Sequence, residues 1–212
     1  MRLALGMTLR KDWRAMTVAW KSIARSFSDT PPFAIRAERV ADVCAREALL
    51  DASFGKDRHA RTCQRLRDGR APADDLAFSA VRDGALVGTV RLWHVSAGGI
   101  PALVLGPLAV DASCRNLGIG AALMKHALRI AKARGHGAVI LRGDAAYYAR
   151  FGFTAAKTGE LSLPGPFERD RLLAVELRHG ALDKASGMII ATGAAARLSG
   201  AKRSDRPFHK AA

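Results

Sequence analysis

Val110-Asp111-Ala112-Ser113-Cys114-Arg115-Asn116-Leu117-Gly118-Ile119-Gly120-Ala121-Ala122 is the stretch whose reading decides the fold of this 212-residue chain. It leaves an apolar segment, Ala102 to Val110, and enters a strongly periodic one. There Gly120, Leu123, Met124, Ala127, Leu128 and Ala131 recur at helical spacing. A loop that runs from a strand into a long helix presents the unpaired N–H groups of the first helical turn, and the helix dipole favours an anion there. Gly118 and Gly120 carry no side chain to hold phosphate oxygens away, and Arg115 adds a cation. The stretch is therefore read as a pyrophosphate cradle. Two other phosphate loops do not fit. A Walker loop needs Lys and then Ser/Thr after its second glycine, where Ala121 and Ala122 stand. The dinucleotide fingerprint needs Gly or Ala three residues past Gly120, where Leu123 stands.

Upstream of the loop, Phe33-Ala34-Ile35-Arg36 reads as a short strand, and Val40, Val43, Cys44, Ala48 and Leu49 follow at helical spacing. Arg58 to Leu66 reads as a second, more polar helix ending near Gly69. Leu76 to Val81 and Leu86 to Val95 read as strands joined at Asp83-Gly84, two residues that tolerate positive φ. Gly98-Gly99 makes the next turn. Gly106-Pro107 interrupts the following strand and predicts a bulge or splay, because proline donates nothing to a ladder. Downstream, Arg134-Gly135 closes the long helix, and Ala138 to Leu141 is a short buried strand. Asp144 can cap a brief helix through Tyr148. Late strands are expected from Phe153 and over Leu172 to Leu177, around a Pro164-Gly165-Pro166 loop. This order predicts an α+β domain over residues 33–180.

Composition sets the outer limits. Hydrophobic residues make up 49% and charged residues 25% of the chain, as in globular domains. No run approaches the ~20 apolar residues of a membrane span. Three cysteines, Cys44, Cys63 and Cys114, frame neither a disulfide scaffold nor a zinc site, which suits a reducing, cytoplasmic setting. The six histidines show no metal-ligand spacing, so no metal is expected. The net charge of +15 is uneven. Residues 1–32 and residues 181–212 each hold six Lys/Arg against two Asp, +4 apiece, which leaves +7 for the core. No nucleic-acid motif or aromatic-basic platform accompanies that charge, so no specific nucleic-acid partner is expected.

The ends are read as extensions. In residues 1–32, Leu9, Trp13, Met16, Trp20, Ile23 and Phe27 form a helical apolar face flanked by Arg10, Lys11, Arg14, Lys21 and Arg25. Such a helix can lie peripherally on an anionic membrane, serve as a targeting segment, dock on a partner, or pack on its own domain. Its lead residues can also reflect a start earlier than Met7 or Met16. Residues 181–212 form a basic C-terminal extension, and its last part, Ala194 to Ala212, is small, basic and aperiodic and is expected to be disordered.

Arg-x-x-Gly-x-Gly after Leu108-Ala109-Val110 resembles the acetyl-CoA motif of the GNAT N-acetyltransferase superfamily. Tyr148-Ala149-Arg150-Phe151-Gly152-Phe153 resembles the Tyr-x-x-x-Gly-Phe segment of the same family. The longer run from Gly143 to Phe153 resembles a bacterial branch of it. The resemblance covers most of residues 33–180 and implies the GNAT fold, a central, mostly antiparallel twisted sheet flanked by helices. It implies acetyl-CoA as cosubstrate, bound by the backbone of Leu108, Ala109 and Val110 along the pantetheine arm. The N–H groups of Arg115, Asn116, Leu117, Gly118, Ile119, Gly120 and Ala121 would hold the pyrophosphate. It implies Tyr148 as the donor that protonates the departing thiolate, and direct transfer to an amine in a ternary complex. A tyrosine, with a reference pKa of ~10, keeps that proton at neutral pH. The chain is expected as a monomer or homodimer.

Two departures stand beside the resemblance. Many members carry an asparagine where Leu141 stands, and many place a glutamate on the strand before the loop, where Ala102 to Val110 has none. His94, Asp144 and Glu160 are the candidate bases, and none is assigned. The acceptor amine is not legible, although the two early helices and the Pro164-Gly165-Pro166-Phe167 loop should shape its site. An alternative function is an acyl-CoA sensor or interaction module that binds without turnover.

Overall fold

The computed structural model describes residues 32–196. The expected N-terminal helix and residues 197–212 lie outside the described residues. Eight strands build one mixed sheet: β1 (Ala34–Ala37), β2 (Ala77–Arg82), β3 (Ala85–Ala97), β4 (Ile100–Val110), β5 (Ala138–Arg142), β6 (Leu161–Ser162), β7 (Leu172–Glu176) and β8 (Gly187–Ala191). The main order is β1-β2-β3-β4-β5-β7. Each neighbouring pair in it is antiparallel except β4–β5. The expected α+β fold with a mostly antiparallel sheet is what forms. Tight turns drive the antiparallel part. Asp83 and Gly84 take φ of 50° and 78° between β2 and β3, and Gly98 and Gly99 take 55° and 92° between β3 and β4.

Helix α1 (Val43–Phe54) and helix α2 (Ile119–Ala133) lie on opposite faces of the sheet. Leu123, Met124, Ala127 and Ala131 of α2 are fully buried against Leu92, Leu103, Leu105, Val139 and Leu141. Truncating one such leucine would cost about 2–5 kcal/mol. Close approach is possible because Gly88 lies beneath the helix: a Cβ there would stand 2.9 Å from Ile119 Cγ2. On the other face, Leu49 and Leu50 of α1 cover Ala109.

A bulge in β4 decides which side chains meet which helix. Val90 pairs with Leu108 and Leu92 with Leu105, so Arg91 alone faces both Gly106 and Pro107. Before the bulge, Leu103 and Leu105 face α2. Strict alternation would next send residues 107 and 109 that way. The extra residue reverses the set, so Leu108 and Val110 pack towards α2 and Ala109 turns to α1. Gly106 has φ of 134°, a region closed to side-chain-bearing residues. The buried Trp93 donates its Nε1–H to Gly106 O at 2.7 Å, holding the bulge in place.

Three elements differ from the sequence reading. Arg58 to Leu66 is not one helix but two 3₁₀ turns, Lys56–Ala60 and Thr62–Leu66, separated by an extended Arg61. Only Leu66 of that segment is buried, so no apolar face exists to hold a longer helix. Phe153 onward gives a single bridge, Thr154 to Ala174, rather than a strand. Residues 187–191, read as part of the C-terminal extension, form β8, which pairs with the end of β3 and with β6. Its signal is short: Ile189 is buried, while Met188 and Ile190 are each 52% exposed.

Candidate active site

The β4–β5 pairing is parallel and brief, Leu103 with Val139 and Val104 with Ile140. From Leu105 onward β4 stays with β3 alone and β5 with β7 alone, so the sheet opens into a cleft between β4 and β5. The expected splay at Gly106-Pro107 thus lies where the strands part. Beyond it, the N–H of Asp111 donates to Val87 O at 2.9 Å. Alternation along an antiparallel strand then turns Ala109 to β3 as well, and leaves the N–H and C=O of Leu108 and Val110 facing the open edge.

One end of the cleft is the glycine loop. A 3₁₀ turn, Ala112–Cys114, is fixed by Asp111, whose carboxylate accepts from the Ser113 N–H at 2.9 Å and the Ser113 hydroxyl at 2.6 Å. The Ser113 bonds hold the Asp111 carboxyl below its usual range. Arg115, Asn116, Leu117 and Gly118 are exposed, and Asn116 and Gly118 take φ of 70° and 75°. Helix α2 then begins without a side-chain cap. Its first backbone bond runs from Ala122 N to Gly118 O, so Ile119, Gly120 and Ala121 keep their N–H groups free of helical partners.

The two glycines differ in kind. Gly118 needs its conformation, since its φ is positive and nothing stands near it. Gly120 needs nothing from the fold: a Cβ there would meet Val110 Cγ2 at 3.5 Å and the Tyr147 hydroxyl at 3.6 Å, ordinary contacts. Absence of a side chain at Gly120 thus keeps the helix mouth clear rather than relieving the protein.

The other end of the cleft holds Tyr148. Helix α3 (Ala145–Tyr148) is a single turn whose cap, Asp144, accepts from the N–H groups of Ala146 at 2.9 Å and Tyr147 at 3.3 Å. Tyr148 is half-buried, edge-on to Phe153 at 5.9 Å between ring centroids and edge-on to Tyr147 at 5.0 Å. Burial, with smaller pushes from Tyr147 and Asp144, raises the Tyr148 phenol above its ordinary pKa. Gly143 was not singled out from the sequence, yet a Cβ there would stand 2.2 Å from Tyr148 Cε2. The adjacent tyrosines separate in role, because the Tyr147 hydroxyl reaches the mouth of α2 while Tyr148 lines the cleft.

Tyr148 shares a cavity of about 180 Å³ with Leu105, Gly106, Pro107, Leu108 and Leu141. Its far wall comes from the end of α1 and the two 3₁₀ turns, through Phe54, Arg58, Arg61, Cys63 and Arg67. The Pro164-Gly165-Pro166-Phe167 loop braces that wall, since Arg65 donates to Pro164 O at 2.7 Å and Thr62 donates to Pro166 O. Among the described residues no Asp, Glu or His lines the cavity. The structure does not bring the three base candidates to it. His94 lies against the tilted ring of His136 at a separate pocket, Asp144 is spent as a helix cap, and Glu160 is exposed elsewhere. Among the described residues no group of three or more His, Cys, Asp or Glu could hold a metal ion, and no helix is long and apolar enough to cross a membrane.

A strand that parts from its neighbour, an uncapped glycine-opened helix mouth and a half-buried tyrosine across the cleft point to an acyltransferase of one family. The family model described as the Acetyltransferase (GNAT) family matches residues 40–153, over half the chain, and the chain belongs to that family. Among its relatives is the N-acetyltransferase YhbS of Escherichia coli K12, 29% identical over 163 residues, which span 73% of this chain and 93% of YhbS. The crystal structure of Escherichia coli YhbS in complex with CoA superposes with a TM-score of 0.66, covering 77% of this chain and 91% of that one. A GNAT family acetyltransferase from Brucella melitensis in complex with acetyl-CoA has 25% identity and a TM-score of 0.51, covering 70% and 97%.

Proposed function

We propose that this chain transfers an acetyl group from acetyl-CoA to an amine by direct attack in a ternary complex. The observation that carries the reading is the continuity of the cleft. It runs from the free N–H groups at Ile119, Gly120 and Ala121, along the open edge at Val110 and Leu108, to the Tyr148 cavity. The α2 mouth and Arg115 hold the pyrophosphate. The outward N–H and C=O groups of Leu108 and Val110 pair with the pantetheine arm as an added strand would. Family relatives crystallised with CoA and acetyl-CoA support acetyl-CoA as the cosubstrate.

Acetyl-CoA supplies an acetyl group activated as a thioester. Tyr148, kept protonated by burial, gives its proton to the sulfur as the C–S bond breaks and the C–N bond forms, and solvent restores it. The proton lost by the amine passes to water, since the described residues bring no carboxylate or imidazole to the cavity. Arg61 and Arg67, which have no carboxylate partner among the described residues, disfavour a charged ammonium in the cavity, so the amine is presented in its neutral, nucleophilic form. A cytoplasmic setting suits this cosubstrate and the free thiols of Cys44, Cys63 and Cys114. The test is CoA release measured against a panel of amines. Amine-dependent release is expected; tight acetyl-CoA binding with no release for any amine would favour the sensor reading.

A further inference from the structure

We propose that the acceptor is an amine bearing an oxyanion, a carboxylate or a phosphate, and that Arg67 is the residue that selects it. The inference rests on the acetyl-transfer reading of the same cleft. Four guanidinium groups reach the cavity, and two of them are paired with carboxylates. Arg58 is paired with Glu47 and Asp51, Arg142 with Glu168, and Arg61 donates to Phe54 O at 3.0 Å while lying over the Phe54 ring. Arg67 differs. Its Nε donates to Cys63 O at 3.2 Å, and no carboxylate pairs with it among the described residues. The neighbouring Asp68 instead accepts from Gln64 at 2.6 Å. Arg67 Nη1 points at the bulge, 3.7 Å from where a Cβ on Gly106 would stand.

Burial pushes the Arg67 pKa down, and Arg58 and Arg61 add to that, against Cys63 and Asp68. The group nonetheless stays charged, as arginines do. A cation held half-buried without a counter-ion is unfavourable unless the site's occupant supplies the negative charge. The pyrophosphate is out of its reach. Gly106 and Val110 are four residues apart on β4, about 13 Å at the rise of a strand, and the glycine loop lies beyond Val110. The part of the acceptor that enters is small, because the cavity of about 180 Å³ falls below the ~300–1,000 Å³ of drug-sized sites.

Matched pairs test this: β-alanine against β-alaninamide, and phosphoethanolamine against ethanolamine. Each is assayed for kcat/KM with acetyl-CoA, and by calorimetry against the CoA-saturated full chain. Wild type should prefer the anionic member of at least one pair, and which pair identifies the oxyanion. Arg67→Met should reduce that preference by about 10–100-fold, mostly through KM, and Arg67→Lys should restore part of it. CoA affinity and cooperative unfolding should be unchanged in both variants. A preference that survives in folded Arg67→Met overturns the proposal. So does wild-type indifference to the anion, or a loss of CoA affinity in Arg67→Met. If anionic amines bind through Arg67 but none is acetylated, the transfer reading fails, the acceptor assignment falls with it, and only the anion subsite at Arg67 stands.

Discussion

Adding one methyl group at Gly143 should disable the chemistry while leaving cofactor binding intact. A Cβ at this position would lie 2.2 Å from Tyr148 Cε2, 2.6 Å from Cδ2 and 3.0 Å from Leu141 Cδ1. Ordinary contact begins at 3.4 Å, so the Tyr148 ring must yield by about 1.2 Å. It has little room on the far side, where Phe153 and Phe151 pack against it. Overpacking of this kind costs about 1–3 kcal/mol of stability, which a folded domain survives. A displacement of ~1 Å in a catalytic group can cost ~10²-fold in rate, and general-acid help is itself about 10²–10⁴-fold. Gly143→Ala should therefore lower kcat by roughly 10²-fold or more. Its acetyl-CoA affinity should stay within a few-fold of wild type, because the α2 mouth lies at the other end of the cleft. In single-turnover assays, Gly143→Ala should add little to a Tyr148→Phe background, since both act through one hydroxyl. Full kcat in folded Gly143→Ala, or simple additivity with Tyr148→Phe, would refute the reasoning.

Four further outcomes are expected from the structure. Tyr148→Phe should reduce the chemical step by about 10²–10⁴-fold. Tyr147→Phe, whose hydroxyl reaches Gly120, should instead act on the apparent affinity for acetyl-CoA; rate assays with both variants separate the two, and a reversed pattern would exchange the roles. Asp42 is buried and held well below its usual pKa by Arg36, with help from the Arg39 N–H and Ser79 hydroxyl and against its own burial. A lowered folded pKa means stability that is present above the unfolded value of ~3.9 and fades as pH falls below it. The stability gap between wild type and Asp42→Asn in urea should shrink below about pH 4, and a gap independent of pH would contradict this. A chain starting at Phe33 should unfold cooperatively and bind acetyl-CoA, as β1 opens the sheet at Ala34, and loss of cooperativity would tie residues 1–32 to the core.

The elements that position the site were legible because each has a local cause. Asp83-Gly84 and Gly98-Gly99 dictate turns, the spacing from Leu123 to Ala131 dictates the long helix, and Asp144 dictates a cap. Gly106-Pro107 marked the bulge, but only the register shows that it hands Ala109 to α1 and leaves Leu108 and Val110 facing the cleft. Arg58 to Leu66 misled because its helical spacing lacks an apolar face to dock. Trp93, Gly143 and Arg67 could not be found from the sequence. Each matters through a partner distant in the chain or through a ring folded back upon it, and no local pattern encodes Trp93 reaching Gly106 O.

Acetyl-CoA titrated into Gly120→Glu tests the central claim most directly. The backbone at Gly120 is ordinary and its nearest neighbours lie at 3.5 and 3.6 Å, so the fold tolerates a side chain. A carboxylate at the uncapped α2 mouth meets the pyrophosphate, and juxtaposed like charges cost several kcal/mol. Calorimetry should show at least a ~100-fold loss of acetyl-CoA affinity with the unfolding transition retained. Wild-type affinity in the folded variant would place the cofactor elsewhere and contradict the account.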